Sequence, residues 1–450
     1  MSKSGFPVED PVTSYWQLPP HHIANHRTTP DLPNSADYVI IGSGITGAVI
    51  AQKLLERDAR ASILMIEART AASAASGRNG GHCRGGWWHR FPCHVEKYGE
   101  EEAVKIDNLE QANVQAMADF VRLHNIQCDF KPVETAEVFK TKQMFDKALG
   151  AVKFRQAFRQ RLPESGIAIN HRVIQGKEAQ LAFGIPGVIG ATTYLAYTQN
   201  PYLLVCNMLE LSLARGLNLQ THTIVRKIAK QADGWQVITQ RGSVQAKNVI
   251  LATNAYTNVL YPDLAVTGFL VPSRRQVAAI RPGDKAGAIP ALKRSCALSD
   301  YNGGDYFLVR EEGLQGAGEM LYGGGEHIDK GTGCTDDSKI DHNIAEYLHH
   351  AAADYIGQDD WGKEGEVVND WVGITCYTPD SFPLVGEAPG QPGLWVSVGM
   401  NGHGMAFAYK CAEALVCMMD SEPDWLPKSF RLARAFEKTN ETFQSLVAKE

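Results

Sequence analysis

The sequence contains no cysteine pair spaced C-x-x-C, and its nine cysteines are scattered from Cys83 to Cys417. That excludes a zinc knuckle and supplies no disulfide framework, so a reducing, cytoplasmic compartment is expected. No apolar run is long enough to span a bilayer, and no membrane partner is expected. The opening residues MSKSGFPVEDPVTSYWQ have no apolar h-region, so no secretory leader is expected. Basic charge is also in short supply: a net charge of −6 offers no positive face to nucleic acid. No metal-ligand cluster or hydrolytic triad stands out, and no metal is expected. Repeats and low-complexity tracts are missing, and 450 residues suffice for two domains.

What is present begins with an arm. Residues 1–35 are rich in proline and histidine and periodic in nothing, which predicts an extended segment pinned to the body by Tyr15 and Trp16. Tyr38-Val39-Ile40-Ile41 then reads as an apolar strand of the kind buried in a parallel sheet. GSGITG, a helix over AVIAQKLLERD and a second apolar strand, Ser62–Ile66, complete a βαβ unit. Residues 96–160 read as helical and charged. A helix and strands with a turn at Asp233-Gly234 start near 200, and alternating stretches run from about 266 to 330.

Gly42-Ser43-Gly44-Ile45-Thr46-Gly47 matches G-x-G-x-x-G. The pattern is weak alone and gains weight from the strand before it, the helix after it, and Glu67, 25 positions beyond Gly42. The expected roles are a tight turn at Gly42, close approach of a pyrophosphate at Gly44, helix–strand packing at Gly47, and ribose hydroxyls on Glu67. NAD and FAD share that half. The next stretch separates them, because Glu67-Ala68-Arg69 runs into ASGRNGGHCRGGWWHR, residues 75–90, with five glycines and two tryptophans. A coil of Ser76, Gly77, Arg78, Asn79, Gly80, Gly81 and His82 follows an extended cofactor outward. Arg78 there would neutralise phosphate and Asn79 would give polar contacts, which favours FAD.

These elements, together with ILATNAYT at 250–257, TPDSFPLVG and GLWVSVGMNGHGMA, resemble the D-amino-acid oxidase superfamily of FAD-dependent oxidoreductases over most of residues 36–420. Within it they are similar to the branch of glycine oxidase, sarcosine oxidase and γ-glutamylputrescine oxidase. The resemblance implies an α/β protein with a Rossmann-like FAD-binding domain from residues 36–95, 190–265 and 365–450. It implies a second, α+β substrate domain with a mixed sheet, from 96–189 and 266–364. The activity implied is hydride removal from the C–N carbon of an amine or amino acid, with electrons passing to dioxygen or another acceptor.

The remaining candidates follow from that frame. Met405–Met419 is apolar on nearly every face, so its helix should be buried, with Met400, Asn401, Gly402, His403, Gly404 and Met405 presenting its N-terminus to the flavin. Val225, Thr253 and Asn254 complete the cofactor set. His82, Arg84, Trp87, Tyr301 and His403 are the catalytic candidates. His82 could hydrogen-bond flavin, accept a proton from a substrate ammonium, or carry a covalent link. Arg84, Arg274 and Arg310 could hold a carboxylate; Trp88, Tyr306 and Trp371 join Trp87 and Tyr301 as a possible aromatic cage for an amine.

Three departures from the family pattern stand out. Leu321 or a neighbour occupies the place of a flavin-facing lysine, and Ala406 that of a carboxylate-binding lysine. Alignment on Thr378-Pro379-Asp380 puts Gly373, not Cys376, where some relatives tether flavin, so non-covalent FAD is expected. Loss of the lysines leaves two alternatives: a flavoprotein kept as an assembly or interaction factor, and a biosynthetic enzyme acting on a cyclic or alkaloid-like amine.

Overall fold

In the computed structural model, which describes residues 5–299, 304–363 and 365–437, the apolar run at Tyr38–Ile41 lies inside the strand Ser35–Ile41 (β1). β1 is flanked on both sides by parallel strands, Gly242–Leu251 and Ile63–Ile66 (β2), whose four residues are all buried. A strand enclosed on both faces and both edges has no reason to alternate polar with apolar, which is why these segments read as continuous apolar runs. The eight-stranded sheet runs Leu384–Glu387, Leu394–Val398, Gly242–Leu251, β1, β2, Asn218–Gln220, and Gly234–Thr239 and Val225–Gln231 extend it from Gly242–Leu251. Four helices pack beside it into one core: Ile45–Arg57 (α1), Glu100–Leu123, Pro201–Leu213 and Gly404–Met418.

The second sheet has nine strands and is mixed. Ser295–Leu298 and Lys131–Phe139 pair in parallel, and the other pairs are antiparallel. Its long edge strand Val367–Tyr377 pairs with Val271–Ile280; the opposite edge is the two-residue strand His82–Cys83 against Gly190–Thr198. Helix His342–Ile356 buries Leu348, Ala351 and Ile356 in a separate core with this sheet. The whole is a mixed α/β fold in which both sheets reach the glycine-rich loop.

Sheet membership departs from the expected boundaries in three places. Glu100–Leu123, expected with the substrate part, packs on Gly404–Met418 in the first core. Gly190–Thr198 and Val367–Tyr377, expected with the cofactor part, are strands of the second sheet. Strand alternation and helical period show that a segment has a buried face but not what covers it, so partners far apart in sequence stay hidden.

The arm before β1 is anchored as expected. Trp16 is 2% exposed and its Nε1 donates to Asn79 O at 2.6 Å; Tyr15 stacks on Trp371. Among the described residues no helix is long and apolar enough to cross a membrane.

Candidate functional site

One cavity of about 620 Å³ runs from the fingerprint turn to the second sheet. Its near end is made of backbone. Gly42 has φ +104°, a conformation open to glycine, and a Cβ on it would lie 2.7 Å from Ala252 O. Gly47 is still tighter, since its Cβ would fall 2.1 Å from Gly42 O. Gly44 is the N-cap of α1, and the hydroxyl of Ser76 accepts the Ile45 N–H at 2.9 Å. A Cβ on Gly44 would crowd that hydroxyl at 2.9 Å, so Gly44 makes room for Ser76 as well as for any ligand.

Gly42, Gly44, Ile45 and Thr46 line this end, with Glu67, Ala68 and Arg69 on one side and Val225, Thr253 and Asn254 on the other. Ser43, Gly47, Gly77 and Gly81 lie behind the wall and shape it. Ser43 Oγ donates to Glu67 Oε2 at 2.7 Å and accepts from Ala72 N; Ser43 N also donates to Oε2, while Glu67 Oε1 accepts from Arg69 N. Glu67 thus keeps one lone pair on Oε1 for a ribose hydroxyl. Asn254 Oδ1 accepts from Gly399 N at 3.0 Å, tying this end to the C-terminal turn.

Arg78 lines the cavity, but part of its guanidinium is committed elsewhere: Nε donates to Ser73 O, Nη1 donates to Val12 O and Val372 O, and Nε lies 3.7 Å from Asp337. Burial lowers its pKa to about 10. Arg69 is the better phosphate or ribose partner. Nη1 pairs with Asp337 at 2.9 Å, whereas Nη2 is buried with no partner among the described residues.

The far end is made of side chains. His82, Arg84, Trp87, Tyr306 and His403 line it, and Asn401, Gly402, Gly404, Met405 and Ala406 form the turn into the C-terminal helix. That helix is buried as expected, and no side chain caps its N-terminus. His82 Nδ1 is 3.0 Å from Ser295 Oγ, and Nε2 is buried with no partner among the described residues. Thr135 Oγ1 lies 3.1 Å from Ser295 Oγ and accepts from Arg84 Nη1 at 3.3 Å. His403 Nδ1 is 3.0 Å from Asn401 O, a group that can only accept, so Nδ1 carries the proton and Nε2 keeps a lone pair. Burial, reinforced by Arg84, pushes the pKa of His82 well down; burial pushes His403 down to about 4. Both imidazoles are neutral at physiological pH.

Tyr306 stands edge-on to His82 at 5.3 Å. It fits because Gly80 and Gly323 have no side chain: a Cβ on either would lie within 2.5 Å of its ring. No carboxylate lies within ion-pair distance of Arg84 among the described residues, although its charge reaches the buried Glu137.

Other candidates fall elsewhere. Arg274 points to Asp341 and Arg310 is buried against Asp129, both off the cavity. The adjacent Arg275 lines it, with Nε 3.1 Å from Glu326; neighbours on a strand face opposite ways. Trp88 is fully buried on His171, and Trp371 is buried with Nε1 donating to Arg78 O. Tyr301 lies outside the described residues. Leu321 is fully buried opposite Ala279, Cys376 faces the first sheet's core, and no lysine lines the cavity among the described residues. His21, His22 and Glu210 bring metal-capable atoms within 4.8 Å of one another, away from the cavity.

Ser295, Thr135 and Arg275 are the residues that sequence reading missed. Each stands in a strand with nothing in its own segment to single it out, and only pairing across the second sheet brings Thr135 beside Ser295.

The long cavity suits FAD: a glycine cradle at one end, an unpartnered Arg69 nitrogen beside it, and an uncapped helix N-terminus at the other. Comparison with known proteins agrees. A bifunctional tRNA 5-methylaminomethyl-2-thiouridine biosynthesis protein, MnmC, of Polaromonas sp. is 30% identical over 49% of this chain and 34% of its own, so this chain matches about a third of that relative. The probable oxidoreductase OrdL of Haemophilus influenzae is 20% identical over 82% of this chain and 80% of its own. The solved L-amino acid deaminase of Proteus vulgaris shares the fold, with a TM-score of 0.71 at 20% identity, covering 92% of this chain and 98% of that one. Residues 37–418 match the DAO family, described as FAD dependent oxidoreductase, and the chain belongs to that family of FAD-binding enzymes.

Proposed function

We propose that this FAD-dependent oxidoreductase oxidises the C–N bond of a small amine or amino acid to an imine. The observation that carries the reading is the meeting of two neutral imidazoles with a guanidinium, Arg84, that has no ion-pair partner among the described residues, at the far end of the cavity. Bound FAD supplies the acceptor for the hydride, and the rest falls to the chain.

Burial and positive charge keep His82 and His403 uncharged. The same surroundings penalise a substrate ammonium, so an entering amine is held in the unprotonated form that gives up hydride. His403 Nε2 offers a lone pair to the amine N–H. Arg84 offers charge and paired N–H donors to a carboxylate, which favours an amino acid over a simple amine. Trp87 and Tyr306 exclude water from the space between them.

The cavity argues against an assembly or interaction factor, which has no use for an uncommitted charge facing an interior space. One relative is named for tRNA modification, but the acidic balance of this chain favours a free small molecule. Among the described residues the cations on the cavity wall are arginines and not lysine, and the acceptor that takes the electrons is dioxygen or another oxidant.

Anaerobic mixing of the holoenzyme with a panel of amino acids, linear amines and cyclic secondary amines tests the reading. Loss of the oxidised flavin absorption with amino acids is expected, strongest where a carboxylate is present. If no member of a broad panel reduces the flavin, the reading fails.

A further inference from the structure

The family match starts at residue 37, yet the segment before it is bound along the glycine-rich loop. Ser14 Oγ donates to Gly77 O and Trp16 Nε1 to Asn79 O, each at 2.6 Å, and Arg78 Nη1 donates to Val12 O at 2.6 Å. Trp16 fills the space left by Gly81, where a Cβ would lie 2.8 Å from the indole. Residues 12–16 therefore splint the loop from outside.

Further upstream the arm crosses to the near end of the cavity. Gly5 N donates to Thr335 Oγ1 at 2.9 Å, and Val12 N donates to Asp337 O at 2.8 Å. Asp337 in turn holds Arg69, whose Nη1 also reaches Val8 O at 3.5 Å. Between these anchors Phe6 and Pro7 enter the cavity wall. The Arg226 guanidinium sits 5.3 Å from the Phe6 ring centroid and fixes it next to Val225. Phe6 and Pro7 are only partly buried, so each keeps apolar surface for a ligand to cover.

We propose that Phe6 and Pro7 are cofactor-binding residues that close the ADP end of the FAD cavity, held in place by the contacts of residues 12–16. The inference rests on FAD as the cofactor. A planar base laid against Phe6 removes apolar area from water on both sides, and the ring's fixed position spares the entropy of ordering it. FMN, which lacks the adenylate half, does not extend to these residues.

The test uses the full chain freed of flavin, with amide hydrogen exchange of residues 5–16 followed on addition of FAD, ADP or FMN. FAD and ADP are expected to slow exchange there by about threefold or more, and FMN to leave it unchanged. Phe6→Ala is expected to weaken FAD about tenfold, with FMN binding as in the parent chain. Equal protection by FMN and ADP overturns the proposal, and so does an unchanged FAD affinity in Phe6→Ala. If the parent chain takes up no FAD, the cofactor assignment falls and this inference falls with it; FAD uptake without protection of the arm sinks the inference alone.

Discussion

The two ends of the cavity are built from different material. The near end is mostly backbone: Gly42, Gly44 and Gly47 admit almost no added atom, and the polar groups there are peptide N–H groups joined by the Glu67–Ser43 pair, Arg69 and Asn254. The far end is side chains drawn from distant parts of the chain, with His82 and Arg84 meeting Ser295 and Thr135, and with His403 near Trp87. A backbone wall suits the invariant half of a cofactor, because its shape is fixed by the fold. A side-chain wall suits a substrate, because single substitutions can retune it.

If that contrast is right, the near end should be the more brittle. Gly47→Ala sets a Cβ 2.1 Å from Gly42 O, a backbone atom that can yield only by separating α1 from the turn. We expect a cost of about 2–3 kcal/mol or more and a loss of FAD affinity on the order of 100-fold. Flavin absorbance per chain and the melting temperature check it. A Gly47→Ala protein that keeps its flavin would break the comparison at its strongest point.

Arg84→Ala probes the other end. Flavin content should stay at the parent level, while kcat/KM for an amino acid falls about 100-fold through loss of a charged hydrogen bond. An amine without a carboxylate should lose little. Equal losses for both substrates would show that Arg84 serves the cofactor or the fold and not the carboxylate.

The same contrast explains what sequence could reveal. The near end was legible because Gly42, Gly44, Gly47 and Glu67 sit in one βαβ unit whose spacing reflects local geometry. Arg78 lines the cavity where its place in the loop put it, and what sequence did not show is that the arm and Asp337 hold part of its guanidinium. At the far end His82, Arg84, Trp87 and His403, which line the cavity, could be named from sequence because they adjoin glycine-rich turns. Ser295 and Thr135 were invisible, since only the parallel pairing of their strands joins them. Arg274 was chosen where Arg275 lines the cavity, a one-residue shift that turns a strand side chain to the other face.

Protons should also separate the far end from the near one. His403 and His94 are each lowered to about 4, and His89 and His171 to about 3, all chiefly by burial. Each contributes stability present above its unfolded value near 6.5 and lost as pH falls toward its folded one, up to about 1.4 kcal/mol per pH unit for each group. Glu110, whose carboxylate accepts from Gly86 N and Trp87 N, has the opposite sign. Burial raises its pKa from 4.5 to about 8, so its contribution is fully present below 4.5 and is lost progressively as pH rises from there through about 8. Melting temperature should therefore drop below pH 6.5 and decline gently toward pH 8. Glu110→Gln should lessen the decline toward pH 8, the remainder coming from Glu137, whose pKa burial raises to about 7, and should steepen the acid drop between pH 6.5 and 4.5, which Glu110 opposes.

The smallest effect expected is the most informative about His82. Arg84 can only donate to Thr135 Oγ1, whose single proton has two acceptors at 3.1 Å, Ser295 O and Ser295 Oγ, and the second of these gives the chain Arg84, Thr135, Ser295, His82 a direction. With Thr135 donating to Ser295 Oγ, the Ser295 proton turns to His82 Nδ1, and the ring proton sits on the buried Nε2. His82 is then a donor at the far end and His403 the acceptor, two like residues made complementary by their partners. Ser295→Ala removes the group that fixes this tautomer. It should lower kcat about fivefold, near 1 kcal/mol, with flavin content and KM held. Ser295→Thr retains the hydroxyl and should restore the rate. A Ser295→Ala enzyme with parental kcat and an unaltered pH profile would mean that the two imidazoles are not set apart in this way.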